Sequence, residues 1–307
     1  MEGREFVEKI KKEVGKAVVG YEEAVELLAV SLLSGGHVIL EGIPGIAKTT
    51  LAKSFAKAIG LSFSRIQLTP DLMPADITGS FVYDPRNSSF YFRKGPIFAN
   101  VVLADEINRA MPKTQSALLE AMQERQVTVE GKTYHLPEPF LVIATMNPVE
   151  SEGVYRLPEA QKDRFMIRIK LEYLDKEKEL SFLKKKIEGS EEEISEVGKD
   201  IPELKKKLQD VRINDKIIDY IHSICSRTRM DKRVLLGASP RAMEHLLFAS
   251  RALAFLRGRD YVIPDDVKYM SKHVLPHRIL LKAEFEMDGL RAEDVVSEIL
   301  DEIEVPK

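Results

Sequence analysis

The run from Val38 to Thr50, VILEGIPGIAKTT, constrains this chain more than any other stretch. Val38, Ile39 and Leu40 form the continuous apolar run of a strand buried on both faces, and Leu51, Phe55 and Ile59 repeat at helical spacing just after it. Between them, Gly42, Lys48 and Thr49 match the phosphate-loop pattern G-x-x-x-x-G-K-[ST], with Ala47 in place of its last glycine. Such a loop curls backbone N–H groups around phosphate oxygens, sends a lysine to the β and γ oxygens and offers a hydroxyl to Mg²⁺. Gly42, Ile43, Pro44, Gly45, Ile46, Ala47, Lys48, Thr49 and Thr50 are therefore the candidate triphosphate cradle, with Thr49 also a metal ligand. An alanine carries no penalty at negative φ and a real one at positive φ, so Ala47 is expected at negative φ. The order strand, loop, helix separates this reading from a Gly/Pro turn beside an exposed lysine, and the loop lacks the G-x-G of a dinucleotide site.

Apolar runs recur at 63–67, 100–104 and 140–145, and Phe165, Ile167, Ile169 and Leu171 alternate as a fifth strand. Helical patterns at 1–33, 49–59 and 113–124 accompany them. This is α/β patterning: a parallel sheet covered by helices on both faces, with ligands at the strand C-terminal ends. The strand at 101–104 ends in Asp105 and Glu106. Asp105 is expected to hold Mg²⁺ through water and Glu106 to polarise the attacking water; the alternative is an acidic surface pair. Asn147 closes another apolar strand and can orient that water if the two strands are neighbours, or it can simply form a turn before Pro148. Arg164 either reaches transition-state charge, sometimes on another subunit, or pairs locally with Asp163; spacing does not separate the two. Ser239 and Pro240 read as N-cap and first residue of a helix. This leaves Arg241 slightly misplaced against the dipole, a cost of only tenths of a kcal/mol that a solvent-exposed arginine tolerates and a nearby anion would remove.

Two segments interrupt the alternation. Residues 77–95, with aromatic runs either side of Asp84 to Asn87, and 127–135, with Glu130 and Gly131 at the tip, read as β-hairpins whose aromatics more often pack than bind a ligand. Residues 175–210 are rich in Lys and Glu, with Leu180, Leu183 and Ile187 on one stripe and charge runs at Lys184 to Lys186, Glu191 to Glu193 and Lys205 to Lys207, the solvated faces of linking helices. The remainder is helical in pattern, near 214–228, 240–257 and 265–274. At 307 residues, 44% apolar and net charge −3, the chain is of ordinary globular composition with no general polyanion-binding signal. No apolar run is long enough to span a bilayer and the N-terminus lacks a signal-peptide core, so cytoplasmic residence is expected. Cys225, the single cysteine, shares a helical face with Ile217, Ile221 and Ile224 and reads as a core thiol. His273 and His277, with Pro276 between them and no third ligand evident, read as structural.

These residues together resemble the AAA+ ATPases, and more closely the MoxR family. The resemblance is carried by VVGY at 18–21, EGIPGIAKT at 41–49, LTPDLMPADITG at 68–79, ADEINRA at 104–110, LPEAQKDRF at 157–165 and GASPRA at 237–242. That family tolerates alanine at the position of Ala47. The resemblance implies a nucleotide-binding domain at 1–174 with the two hairpins as inserts akin to those of MCM helicases, a charged helical linker at 175–210 and an all-α lid at 211–307. It implies ATP and Mg²⁺, with Val19, Gly20 and Tyr21 in the adenine pocket, Asn147 as sensor 1, Arg164 as arginine finger and Arg241 as sensor 2, in cis or in trans. A hexameric ring, pore-facing hairpins, a lid repositioned by the linker, an unidentified protein client and a von Willebrand factor A domain partner are further expectations. Nucleic acid is not expected as a partner. A DNA motor, suggested by the inserts and by Arg86, Arg93, Lys94 and Lys132, is one rival. An ATP-binding assembly switch with little turnover is the other, disfavoured by the presence of Asp105, Glu106 and Asn147.

Overall fold

The computed structural model describes residues 2–147, 155–188, 193–198 and 200–306. Pro148, Glu191 and Glu192, named above, lie outside them. The first half runs α1 (Gly3–Gly15), α2 (Glu22–Ser34), β1 (Val38–Glu41), α3 (Lys48–Ala58), β2 (Phe63–Gln67), α4 (Pro74–Thr78), β3 (Gly79–Asp84), β4 (Ser89–Lys94), β5 (Val101–Asp105), α5 (Pro112–Glu124), β6 (Gln126–Val129), β7 (Lys132–His135), β8 (Leu141–Met146), α6 (Glu159–Lys162) and β9 (Ile167–Lys170). Then come α7 (Lys176–Glu188), α8 (Ile201–Leu208), α9 (Asp215–Met230), β10 (Val234–Leu236), α10 (Pro240–Leu256), α11 (Pro264–Val274), β11 (Leu280–Leu281), α12 (Ala283–Met287) and α13 (Ala292–Glu302).

The five strands read from the sequence form one parallel sheet in the order β2-β5-β8-β1-β9. Alternate residues leave it on opposite faces. Val38, Leu40, Val101, Leu103, Leu141 and Ile143 enter one apolar core with α1, α2 and α3, while Ile39, Val102, Ala104, Val142 and Ala144 enter a second with α5. The first core continues without a break into α9, α10, α11 and α13, because α2 is buried almost all round and α10 packs against it. Cys225 sits fully inside this core, where burial pushes its thiol up to about 12. Among the described residues, no helix is long and apolar enough to cross a membrane.

Both hairpins form as the sequence suggested, β3 with β4 and β6 with β7. Glu130 and Gly131 both take positive φ, 49° and 77°, the geometry that a two-residue turn between twisted strands requires. The aromatics do pack: Phe92 stacks on Tyr134 at 4.1 Å between centroids, so the two inserts touch each other. Lys94 and Lys132 lie over the Phe98 and Phe81 rings. At the outer end Phe90 stays 69% exposed.

One expectation needs correction here. The C-terminal part is not wholly helical, since β10 and β11 pair antiparallel. At three and two residues they are too short for a period-2 pattern to register. The apolar stripe of α7 shares a helical face as read, yet that face is open, with Ile187 86% exposed. Periodicity identifies residues on one face and says nothing of what covers it.

Candidate active site

The phosphate loop occupies the C-terminal end of β1, and its backbone departs from expectation at one residue. Ala47 takes φ 66° and ψ 22°, squarely left-handed, instead of negative φ. The chain must turn its N–H groups inward immediately before α3, and Gly45 (φ 83°) and Ala47 make that turn together. A methyl group there costs about 1 kcal/mol relative to glycine, which explains why glycine is the pattern residue. The helix that follows has no capping side chain and no acid in its first turn, the local character of a helix start suited to an anion. A Cβ at Gly45 would meet nothing within 4 Å, which leaves the mouth of the cradle open. Lys48 folds back across the loop and donates to the Gly42 carbonyl at 2.5 Å. Hard oxygen donors, the Thr49 hydroxyl and the Asp105 carboxylate, are the chemistry that Mg²⁺ prefers.

β5 and β8 are hydrogen-bonded neighbours, so Asp105, Glu106 and Asn147 all leave the sheet at the same end as the loop. Asp105 is only 7% exposed. Its Oδ1 accepts from the Thr145 hydroxyl at 2.6 Å, and its Oδ2 accepts from Arg65 Nε at 3.0 Å and Nη2 at 2.7 Å. Thr145 also accepts the Glu106 backbone N–H at 2.8 Å, so one fully buried hydroxyl ties both acids to the neighbouring strand. Glu106 sits at φ 60°, another left-handed non-glycine residue at the site. Gln67 Nε2 at 2.9 Å and Arg109 Nη1 at 3.2 Å both donate to Glu106 Oε2. Thr145, Arg65 and Gln67 carried no signal in the sequence; Thr145 would have become visible only from the strand order.

Val19 and Tyr21 line a pocket of about 290 Å³ with Ile43, Pro44, Tyr173 and Phe182. Gly20, at φ 86°, lets the chain pass this close, because a Cβ there would lie 2.7 Å from Leu174 and 2.8 Å from Lys178. The apolar lining and the adjacent loop suit a purine ring. Phe182 and Glu179 come from α7, in the stretch whose charge runs read as solvated faces.

Arg164 and Arg241 are not at this end. They share a second, more polar cavity of about 420 Å³ with Arg125, His37, Glu244 and His245, formed where α2 and α5 end and just before β1 and β9 begin. The local pairing of Arg164 with Asp163 gives way to more distant partners: that carboxylate accepts from Arg278 Nε at 2.9 Å, Ser239 Oγ at 2.8 Å and Arg241 Nη1 at 3.4 Å. Ser239 caps α10 as expected, its Oγ accepting from the Ala242 N–H. Arg278 is buried, and it also donates to the carbonyls of Asp163, Phe165, Met166 and Val274 and to His245 Nδ1. His277 Nε2 lies against the Phe165 carbonyl while His273 Nε2 faces Glu23, so the histidine pair serves separate contacts.

Residues 37–167 match the model of the ATPase family associated with various cellular activities (AAA), and 226–299 match that of the AAA lid domain. Chaperone MoxR1 of Mycobacterium tuberculosis is 42% identical over 316 residues, spanning 96% of this chain and 81% of its own. The chain belongs to the MoxR family of AAA+ ATPases. A Bacillus subtilis relative called YeaC, itself uncharacterized, is 46% identical over 97% of this chain and 94% of its own length. A solved structure from Cytophaga hutchinsonii, whose ATPase assignment is provisional, superposes with a TM-score of 0.91 at 41% identity, covering 99% of this chain and 96% of that one. This MoxR-family ATPase therefore has the α/β AAA+ fold followed by a lid, and neither family model reaches α7, which nonetheless walls the apolar pocket.

Proposed function

We propose that this MoxR-family ATPase hydrolyses Mg²⁺·ATP at a site shared between neighbouring copies of a ring, a hexamer, and spends the turnover on remodelling a client protein. The observation that carries the shared site is the separation of its halves. The phosphate loop lies at the C-terminal end of β1 and the arginine cavity at the N-terminal ends of β1 and β9. β1 is 4 residues long, so at ~3.3 Å per residue its ends stand ~13 Å apart, with the packed sheet between them. Arg164 and Arg241 therefore serve another copy's triphosphate, which gives Arg241 a role in trans.

In this reading Gly42 to Thr50 cradle the phosphates and Val19, Gly20 and Tyr21 seat the adenine. Thr49 and Asp105 would hold Mg²⁺, which supplies charge neutralisation on the β and γ oxygens. Glu106 polarises the attacking water and Asn147 orients it, once Glu106 has exchanged Gln67 and Arg109 for that water. Two arginines in trans give the transition state a cationic wall that forms only on assembly. The name of the Mycobacterium relative supports chaperone-like work. A cytoplasmic ring, a von Willebrand factor A domain partner and a role in complex maturation or metal insertion follow the family resemblance.

The test is subunit mixing. Arg164→Ala and Glu106→Gln, each inactive alone, should regain ATPase activity together, because some interfaces then pair an intact Glu106 with an intact Arg164. No recovery in demonstrably mixed assemblies refutes the shared site. The DNA-motor reading is favoured by the cations on the hairpins, although Lys94 and Lys132 are already committed to ring faces. It predicts salt-dependent DNA binding and DNA-stimulated turnover, and absence of both sinks it.

A further inference from the structure

We propose that Arg125 is a third intersubunit arginine, which contacts the neighbouring copy's triphosphate alongside Arg164 and Arg241. This rests on the shared-site reading above. Arg125 is the C-terminal cap of α5 and takes φ 52°, a left-handed position where glycine is the ordinary choice. Its exposed side chain reaches across to α2 and donates from Nη2 to the Gly35 carbonyl at 3.1 Å. Two helices thus end against one guanidinium, and their carbonyl ends favour a cation there. It lines the same cavity as Arg164 and Arg241.

The charge balance of that cavity points to an anion. Three guanidinium groups line it against one carboxylate, Glu244. The two imidazoles add no charge at neutral pH: burial and nearby arginines hold His37 at about 4 and His245 at about 3. Asp163, beneath the cavity, is engaged by Arg278, Ser239 and Arg241. The uncompensated positive charge of a concave surface focuses on an approaching polyanion. His37 anchors the end of α5 that carries Arg125. Its Nδ1 accepts the Val142 N–H at 3.0 Å, so Nε2 carries the proton and donates to the Met122 carbonyl at 3.0 Å, pinning the last turn of α5 three residues before Arg125.

The experiment is a three-way mixing assay with ATP as probe. Arg125→Ala alone should lower kcat by ~10–100-fold while the affinity for a fluorescent ATP analogue stays within about threefold. Mixed with Glu106→Gln it should regain activity, since roughly a quarter of interfaces in an equal random mixture then carry both intact halves. Mixed with Arg164→Ala it should regain none, because both lesions lie on the same side of the interface. Arg125→Lys, which keeps the charge and loses the fork, should fall between wild type and Arg125→Ala. Full activity of Arg125→Ala, recovery with Arg164→Ala, or no recovery with Glu106→Gln would each overturn the proposal. Recovery of Arg164→Ala with Glu106→Gln is the control that separates its failure from failure of the shared site.

Discussion

Asp163→Ala is the substitution whose cost the structure defines most sharply. Arg278, with its side chain 1% exposed, keeps hydrogen bonds to four carbonyls and His245 when the carboxylate goes; what it loses is its counter-charge. Burial already draws this guanidinium down to about 10, and Asp163 is what opposes that shift. Removing one partner of a buried ion pair costs ~3–5 kcal/mol, and the surviving hydrogen bonds place this case near ~3. The Ser239 bond adds ~1 kcal/mol, and the half-exposed Arg241 contact at most a few tenths. A loss of ~4 kcal/mol is large against the ~5–15 kcal/mol that stabilises ordinary domains. Urea unfolding followed by circular dichroism measures it, and because Arg278 sits between α11 and β11 the C-terminal helices should unfold first, as a separate early transition. Arg278→Met removes the buried charge altogether, so adding Asp163→Ala to it should cost ~2 kcal/mol less than adding it to wild type. A cost below ~1 kcal/mol for Asp163→Ala, or additive behaviour in the cycle, would show that the buried pair is not what holds the C-terminal helices to the segment before β9.

Other substitutions test the site itself. Thr145→Val keeps shape but cuts the tie between Asp105 and the Glu106 backbone; kcat should fall ~10-fold or more with nucleotide affinity little changed, and an unaltered kcat would deny the bridge a role in positioning. Ala47→Gly should retain ATP binding and raise the urea midpoint by the equivalent of up to ~1 kcal/mol, because left-handed strain is relieved at a small entropic cost; a lowered midpoint contradicts the strain argument. His37 is held at about 4 when folded against an ordinary 6.5, so its neutral form favours folding fully above pH 6.5, and that contribution is lost as pH falls towards 4. The loss is of order ~3 kcal/mol. His37→Gln should flatten this part of the stability-pH curve, and an unchanged slope would refute the assignment.

The sheet, the phosphate loop, the paired acids and both hairpins were legible because each depends on residues adjacent in sequence. Val38 to Leu40 announce a doubly buried strand, and Glu130 with Gly131 announce a turn, without reference to anything distant. The partners of Asp163 were not legible: Arg278 lies more than a hundred residues further on, and local reasoning offered only Arg164. Thr145 stayed hidden for a related reason. Its hydroxyl matters only because β8 sits beside β5, and strand order is a property of the assembled sheet. Ala47 differs in kind: residue type alone favours negative φ there, whereas the need to aim N–H groups inward decides the geometry and the alanine bears the strain. The open stripe of α7 shows the limit of periodicity, which groups Leu180, Leu183 and Ile187 but does not name their neighbour.

The stack between Phe92 and Tyr134 makes two insertions from separate parts of the chain into one mechanical body. Deleting either hairpin strips an aromatic face from the other, so a truncated protein would confound loss of that hairpin's own surface with new stickiness and misfolding. Single substitutions at the outer end, at Tyr83 or Phe90, leave the stack intact and isolate the first of these. An engineer grafting a new recognition element onto this scaffold would likewise need to transplant the hairpins as a pair.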